Sequence, residues 1–265
     1  MRECGGFQWK PVEIACRTLD EFSEFVQSRP ETCVRSHIDR GVATLLDKGL
    51  ALTRRFGWAS VEARGSNYRE DLIVGKLSSR NWALFDLLDA EMGRKPTAEI
   101  LCFEEGEAFS RTVRSLYPRS ICCSPATLMH RETRRPAADI SNLGFADHSF
   151  DAVVLNETLH LTRFIRTALG EARRVLRPGG LILATFPFAC ASEGDPYPDD
   201  LESQASPPKA LGWEVIGVAE QCGFSDVTMF YISDIERGIV GGDLDGVFVF
   251  RGRVPHDPRL MSGNG

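Results

Sequence analysis

The chain has 265 residues, of which 43% are hydrophobic and 26% charged, with a formal net charge of −6. This is the composition of a globular protein with room for one large domain, or for a core with a smaller appendage. It argues against a basic binder of phosphate backbones, and no apolar run approaches the roughly 18 residues that span a bilayer. The N-terminal MRECGGFQWKPVE carries no apolar stretch of the signal-peptide kind, which favours a cytoplasmic protein without a membrane anchor. The arginine pairs Arg54-Arg55, Arg134-Arg135 and Arg173-Arg174 are short and flanked by apolar or acidic residues, so they read as solvated helix faces. A small-molecule substrate is therefore expected rather than duplex nucleic acid, with protein and RNA substrates left open.

Residues 1–17 give weak signals. Thr18-Leu19-Asp20-Glu21 has the capping-box pattern and opens a helix that Ser28-Arg29-Pro30 stops. A second helix is expected over about 34–56. Loop residues lie around Gly57 and Gly65-Ser66-Asn67, and a third helix runs over about 80–92, with Gly93 as its cap. Residues 1–95 thus read as a helical cap. From Pro96 the pattern becomes strand, helix, strand. Short apolar strands are expected at 99–103, 120–123, 137–140, 150–155, 181–186, 227–232 and 247–250, with helices at 108–116, 163–176 and 211–222. That alternation implies an α/β fold with a doubly wound, mostly parallel sheet over residues 96–253. Residues 254–265 are left as a tail. The polar, proline-rich 190–209 segment is long enough to be a substrate loop.

Of the eight cysteines, none forms a C-x-x-C pair and their spacings match no zinc framework, so no metal site is expected. Cys102, Cys122 and Cys123 fall in expected buried strands, where a reduced thiol behaves as a small hydrophobe.

The stretch DISNLGFADHSFDAVVLNETLHLTRFIRTALGEARRVLRPGGLILATFPF, Asp139 to Phe188, resembles the central half of class I S-adenosylmethionine-dependent methyltransferases. The Asp139-Ile140 pair, the Ser-Phe-Asp before the fourth strand and Arg174-Val175-Leu176-Arg177-Pro178-Gly179-Gly180 carry the likeness. The resemblance implies a seven-stranded sheet whose last strand is antiparallel, and S-adenosylmethionine as cofactor. It implies that Asp139 contacts the adenine amino group; Asp139 also reads as a turn-initiating residue before Ser141-Asn142. It places Ile140 and Asn156 at the cofactor, and Glu157 and His160 as candidate acid/base groups, with His160 one place before the usual histidine position. A more distant resemblance to a methyltransferase subgroup covers residues 68–90, where Arg69 and Arg80 either reach an anionic group or form surface ion pairs.

The glycine-rich cofactor loop departs from the family pattern. Cys102-Phe103-Glu104-Glu105-Gly106-Glu107-Ala108 keeps a single glycine, Gly106, where backbone would approach the ligand. Glu104, Glu105 and Glu107 bring negative charge to the place of the cofactor's carboxylate end. Ser124-Pro125 stands where an acidic ribose-binding residue is usual. Two readings follow: a methyltransferase with a divergent loop acting on a small molecule, or a methyltransferase-like protein that serves as a non-methylating enzyme or partner subunit.

Overall fold

The computed structural model describes residues 11–29, 35–48, 60–104, 107–125, 137–190 and 210–256. Glu105, Gly106, Cys4, Cys33, Arg54-Arg55, Arg134-Arg135 and the 191–209 segment lie outside them. In chain order the elements are β1 (Val12–Cys16), α1 (Leu19–Ser28), α2 (Arg35–Lys48), β2 (Val61–Ala63), α3 (Tyr68–Asp71), β3 (Leu72–Val74), β4 (Leu77–Ser78) and α4 (Ser79–Met92). There follow β5 (Ile100–Glu104), α5 (Ala108–Leu116), β6 (Ile121–Pro125), β7 (Ala137–Ala138), β8 (Phe150–Asn156), α6 (Ile165–Val175) and β9 (Leu176–Thr185). The last are α7 (Glu214–Gln221), β10 (Ser225–Ser233) and β11 (Val247–Arg253), with 3-10 turns at Leu159–Leu161 and Ile235–Arg237.

The strand order of the main sheet is β1-β10-β11-β9-β8-β5-β6-β7. The seven strands from β10 to β7 are those expected from the sequence. Strands β6, β5, β8 and β9 run parallel, and β11 lies antiparallel to β9, as the resemblance implied. The chain enters the parallel part of this sheet at β5, moves outward to β6 and β7, and returns to β8 on the other side of β5. The order therefore reverses between β5 and β8, the point at which parallel α/β sheets bind ligands beyond their carboxyl ends. An eighth strand, β1, extends the sheet. It is a five-residue strand with alternate residues half-exposed, too short for its alternation to stand out.

Two compact units divide the chain: Arg17–Leu19, Leu84–Met229 and Val249–Gly265 form one, and Met1–Cys16, Asp20–Ala83 and Phe230–Phe248 the other. In the first, Ile100 to Phe103 and Ala152 to Leu155 are fully buried, because helices cover both sheet faces. Helix α6 buries Ile165, Ala168, Leu169, Ala172 and Val175, the one-sided spacing of an amphipathic helix. Each large apolar side chain so buried contributes about 1.5–3 kcal/mol before entropy is counted.

The sequence signature of this unit is structural, and two of its details differ from expectation. Arg177 to Gly180 is not a turn into a strand. It is an irregularity within β9, between the pairings Phe150↔Leu176 and Ala152↔Leu181. Gly179, at φ +77°, donates its N–H to the Val254 carbonyl at 2.9 Å, so the loop is pinned to the last strand's exit. Arg177 bonds Asp151 at 2.8 Å and pairs with Glu99, while Asp151 accepts from the Glu99 N–H at 2.8 Å. Arg174 is not a solvated helix residue either. Its guanidinium donates to the carbonyls of Leu143 and Phe145, each at 2.8 Å, and to Glu171 and Asp147, each at 2.7 Å. It fastens the 143–147 loop to α6.

In the second unit, Ile38, Val42 and Leu45 of α2 form a cluster with Leu72 and Val240. Strands β2, β3 and β4 make a small antiparallel sheet in a stretch expected to be helical or loop; with two or three residues apiece they offer no period to detect. The Arg80 guanidinium clamps Glu70 through two bonds, 2.8 and 3.0 Å, and Arg69 joins the same carboxylate at 2.6 Å. Both arginines are thus engaged in ion pairs. A fully buried Asp245 accepts from the Tyr231 hydroxyl and lies 3.4 Å from Arg29.

Candidate functional site

The carboxyl end of the parallel sheet is polar, although the strands leading to it are apolar. Glu104 ends β5 and pairs in register with Asn156 on β8, which pairs with Thr185 on β9. Ser124 stands one residue past the Phe103↔Cys123 pairing on β6. All four side chains are buried, each 5% exposed or less. The Thr185 hydroxyl donates to Asn156 Oδ1 at 3.2 Å. The Ser124 hydroxyl has no hydrogen-bond partner among the described residues.

Glu104 turns back toward α5. Its Oε1 accepts from the Phe109 N–H at 3.1 Å, and its Oε2 from the Ser110 N–H at 2.8 Å and from the Ser110 hydroxyl. A carboxylate at a helix N-terminus satisfies donors that lack intrahelical partners and sits at the positive end of the helix dipole. Glu107, the residue before α5, bonds Arg111 one turn on, at the exposed face. The negative charges of both glutamates are therefore met within the chain.

After β8 the backbone turns sharply. Glu157 is half-buried at φ +54°, unusual for a residue with a side chain, and its N–H donates to the Thr185 carbonyl at 3.0 Å. Such backbone outliers cluster at functional sites. His160, half-buried, lies in the 3-10 turn that follows. Thr158 precedes that turn and is 1% exposed; its hydroxyl has no hydrogen-bond partner among the described residues.

These segments border a small cleft with about 280 Å³ of free space, open solvent included. Its walls are Phe103, Pro125, Ile140 and Leu161, and its polar lining is Asp139, Thr158 and Thr162. Asp139 Oδ1 accepts from the Ser141 N–H at 2.8 Å, closing a turn, while the residue also faces the cleft. The two sequence readings of Asp139 are thus compatible in one conformation. Ser141 and Thr162 hydroxyls lie 3.2 Å apart, tying this turn to the segment after β8. The cleft thus combines apolar walls with a carboxylate at its rim and a buried hydroxyl inside.

The structure brings Asp139 and Ile140 together at this cleft and sets Glu104, Ser124 and Asn156 along the adjoining strand ends. Sequence reasoning missed Phe103, Leu161, Thr158 and Thr162. Their one available signal was position, at or just beyond the carboxyl ends of β5 and β8. Among the described residues, no group of three or more His, Cys, Asp or Glu is placed to hold a metal ion, and no helix is long and apolar enough to cross a membrane.

Residues 109–184 match the family model described as a methyltransferase domain. The chain is 35% identical over 109 residues to the phthiotriol/phenolphthiotriol dimycocerosates methyltransferase of Mycobacterium tuberculosis, covering 37% of this chain and 38% of that protein. It is 46% identical over 43 residues to the hybrid PKS-NRPS synthetase iccA of Talaromyces variabilis, covering 16% of this chain and 1% of that one. The chain thus spans well under half the length of the curated relatives it matches. Among solved structures, the [4+2]-cyclase SpnF aligns with a TM-score of 0.50 at 14% identity, covering 83% of this chain and 93% of that one. That likeness concerns the fold.

Proposed function

We propose that this chain, which has the class I methyltransferase fold and carries a methyltransferase domain match over residues 109–184, is an S-adenosylmethionine-dependent methyltransferase acting on a small organic acceptor. The observation that supports the reading best is the cleft at the strand-order reversal, with Asp139 at its rim and, in its wall, the buried Thr158 hydroxyl, which has no hydrogen-bond partner among the described residues. In this reading the adenine ring lies against Phe103, Ile140 and Leu161, which must part to admit it, with Asp139 accepting from the exocyclic amine and Thr158 bonding a ring edge. Such a buried hydroxyl without a partner carries a cost of about 1–3 kcal/mol, which a ligand atom would relieve. Ser124 and Asn156 serve the ribose side. When bound, the cofactor supplies an electrophilic methyl group on sulfur.

The protein's part is to hold, orient and desolvate the reactants. Glu157 and His160 stand on the segment after β8, next to the cleft's Thr158 and Leu161, and either takes up the proton of an acceptor that arrives protonated. The net charge of −6 favours a neutral or cationic acceptor over a polyanion. The mycobacterial relatives are named for phthiotriol and phenolphthiotriol dimycocerosates; an acceptor of that apolar kind is one candidate within the class. The test is incubation of the whole protein with methyl-labelled cofactor and fractionated metabolite or lipid extracts. Label in an organic product supports the reading. Binding of S-adenosylhomocysteine without any labelled product would favour the non-methylating alternative.

A further inference from the structure

We propose that Cys102 and Cys122 form a modification site, a paired dithiol that a hydroperoxide converts reversibly into a disulfide across the β5–β6 seam.

Cys102 and Cys122 are register partners on neighbouring parallel strands, and both are free thiols. Register partners send their side chains from the same face of a sheet at the same level. The ordinary strand spacing of about 4.7–4.9 Å lies within the roughly 4.4–6.8 Å that separates the Cα atoms of disulfide-bonded cysteines. The bridge therefore asks for no shift of either strand. The Cys122 thiol donates to the Ser110 carbonyl at 3.9 Å, so the shared face is the one that α5 covers. Cys123 follows directly, pairs with Phe103 and points to the opposite face. It neighbours one thiol of the pair in sequence and cannot reach the other.

The two thiols differ in a way that sets the order of events. Cys122 is 6% exposed and Cys102 fully buried, so a small oxidant meets Cys122 first. The hydrogen bond from Cys102 holds the Cys122 thiol below its ordinary value of 9.0, with Ser110, Arg114 and Ser120 aiding it against burial. The thiolate so favoured is the nucleophile. It attacks one peroxide oxygen, and the O–O bond breaks. That oxygen joins the Cys122 sulfur as a sulfenic acid, and the departing oxygen takes up a proton and leaves as alcohol, or as water from hydrogen peroxide. The Cys102 sulfur then attacks the Cys122 sulfur. The S–S bond forms, the S–O bond breaks, and hydroxide leaves as water with the Cys102 proton. The thiol pair loses two electrons and the hydroperoxide gains them. The bridge closes a loop that contains all of α5 and locks together the strands that carry the cleft residues Phe103 and Pro125.

The experiment treats the whole reduced protein with hydrogen peroxide near neutral pH, then alkylates it and maps its peptides by mass spectrometry. The Cys102 peptide is recovered joined to the Cys122 peptide, with fragment ions that assign the link to Cys122. Dithiothreitol restores both thiols. The melting temperature rises by several degrees on oxidation and returns on reduction. Cys123→Ala keeps the link, while Cys102→Ala stops the sequence at a sulfenic acid that dimedone traps on Cys122. The wild-type peptide map decides by itself if a variant does not fold. The inference is overturned by a Cys122–Cys123 link, by bridges between molecules, or by a Cys102 that stays open to alkylation after Cys122 has been oxidised. Two thiols unchanged by millimolar peroxide, or a bridge that forms only after unfolding, overturn it equally.

Discussion

Asp139 closes a turn and lines the cleft, and in the proposed reading it also recognises the ligand. Its Oδ1 holds the Ser141 N–H, which fixes the carboxylate at the rim of the cleft before any ligand arrives. Asp139→Ala loses a charge-assisted contact of roughly 1.5–3 kcal/mol, so nucleoside affinity falls about tenfold to hundredfold by calorimetry. Thr158→Val keeps the volume, removes a hydroxyl that has no partner among the described residues and lowers affinity less, while leaving the melting temperature unchanged or raised. Unchanged affinity in both variants would place the ligand elsewhere. The sequence singles out Asp139 because a family pattern surrounds it, and the structure places it at the cleft. Thr158 is not legible in the sequence, since threonine has many uses and only its burial, with no partner among the described residues, singles it out. Glu104 was read as a charge facing the ligand; that it bends back to Phe109 and Ser110 depends on a turn direction that residue type does not encode. The paired thiols of Cys102 and Cys122, opposite each other on β5 and β6, offer a further check. The hydrogen bond from Cys102 lowers the Cys122 thiol's pKa, assisted by Ser110 and Arg114 against the effect of burial, while Cys102 itself is raised. Alkylation followed by peptide mass spectrometry near neutral pH modifies Cys122 before Cys102, and Cys102→Ala shifts that reaction to higher pH.

Among the elements, the 143–147 loop and its anchor matter most to the site, because this loop follows directly from Asp139. Arg174 reaches two loop carbonyls, Asp147 and Glu171, while Glu171 accepts from the Leu143 N–H at 2.8 Å. Arg174→Ala therefore destabilises the protein by about 2–3 kcal/mol, through lost bonds to charged groups. The Arg174 hydrogen bond, with help from the Leu143 N–H, holds the Glu171 carboxyl below its ordinary value of 4.5 despite burial. A depressed folded value contributes stability above the unfolded one, and that contribution is lost as pH falls through the folded value. The gap in melting temperature between wild type and Arg174→Ala is accordingly wide at pH 7 and narrows below about pH 4. A gap independent of pH would deny Glu171 its part. At this scale the sequence was informative where elements were long: α5 matches its expected bounds, and α6 and β8 lie within two residues of theirs. It failed for β1 to β4, whose two to five residues carry too little pattern. The Arg-Pro-Gly-Gly segment was recognisable as an interruption, but only strand pairing reveals that β9 continues on both sides of it.

At the scale of the whole molecule, the chain is not divided at a single point. Residues 20–83 share a unit with residues 230–248, and Val240 completes the cluster of Ile38, Val42, Leu45 and Leu72. Nothing local in residues 230–248 announces this, because burial there is satisfied by partners nearly two hundred positions away. Val240→Ala leaves a cavity worth about 2 kcal/mol. Its hydrogen-exchange signature is faster exchange of the α2 amides, and unchanged protection of α2 would show that the cluster does not act as one unit. The same discontinuity has a consequence for biosynthesis. Residues 20–83 leave the ribosome while the roughly 150 residues that precede Phe230 are still to be made. At about 5–20 residues per second that is a wait of roughly 10–30 s with the apolar face of α2 lacking its final partner. During that interval the nascent chain presents a sticky surface to other polysomes, which makes it a natural client of holding chaperones and sensitive to the pace at which its message is translated.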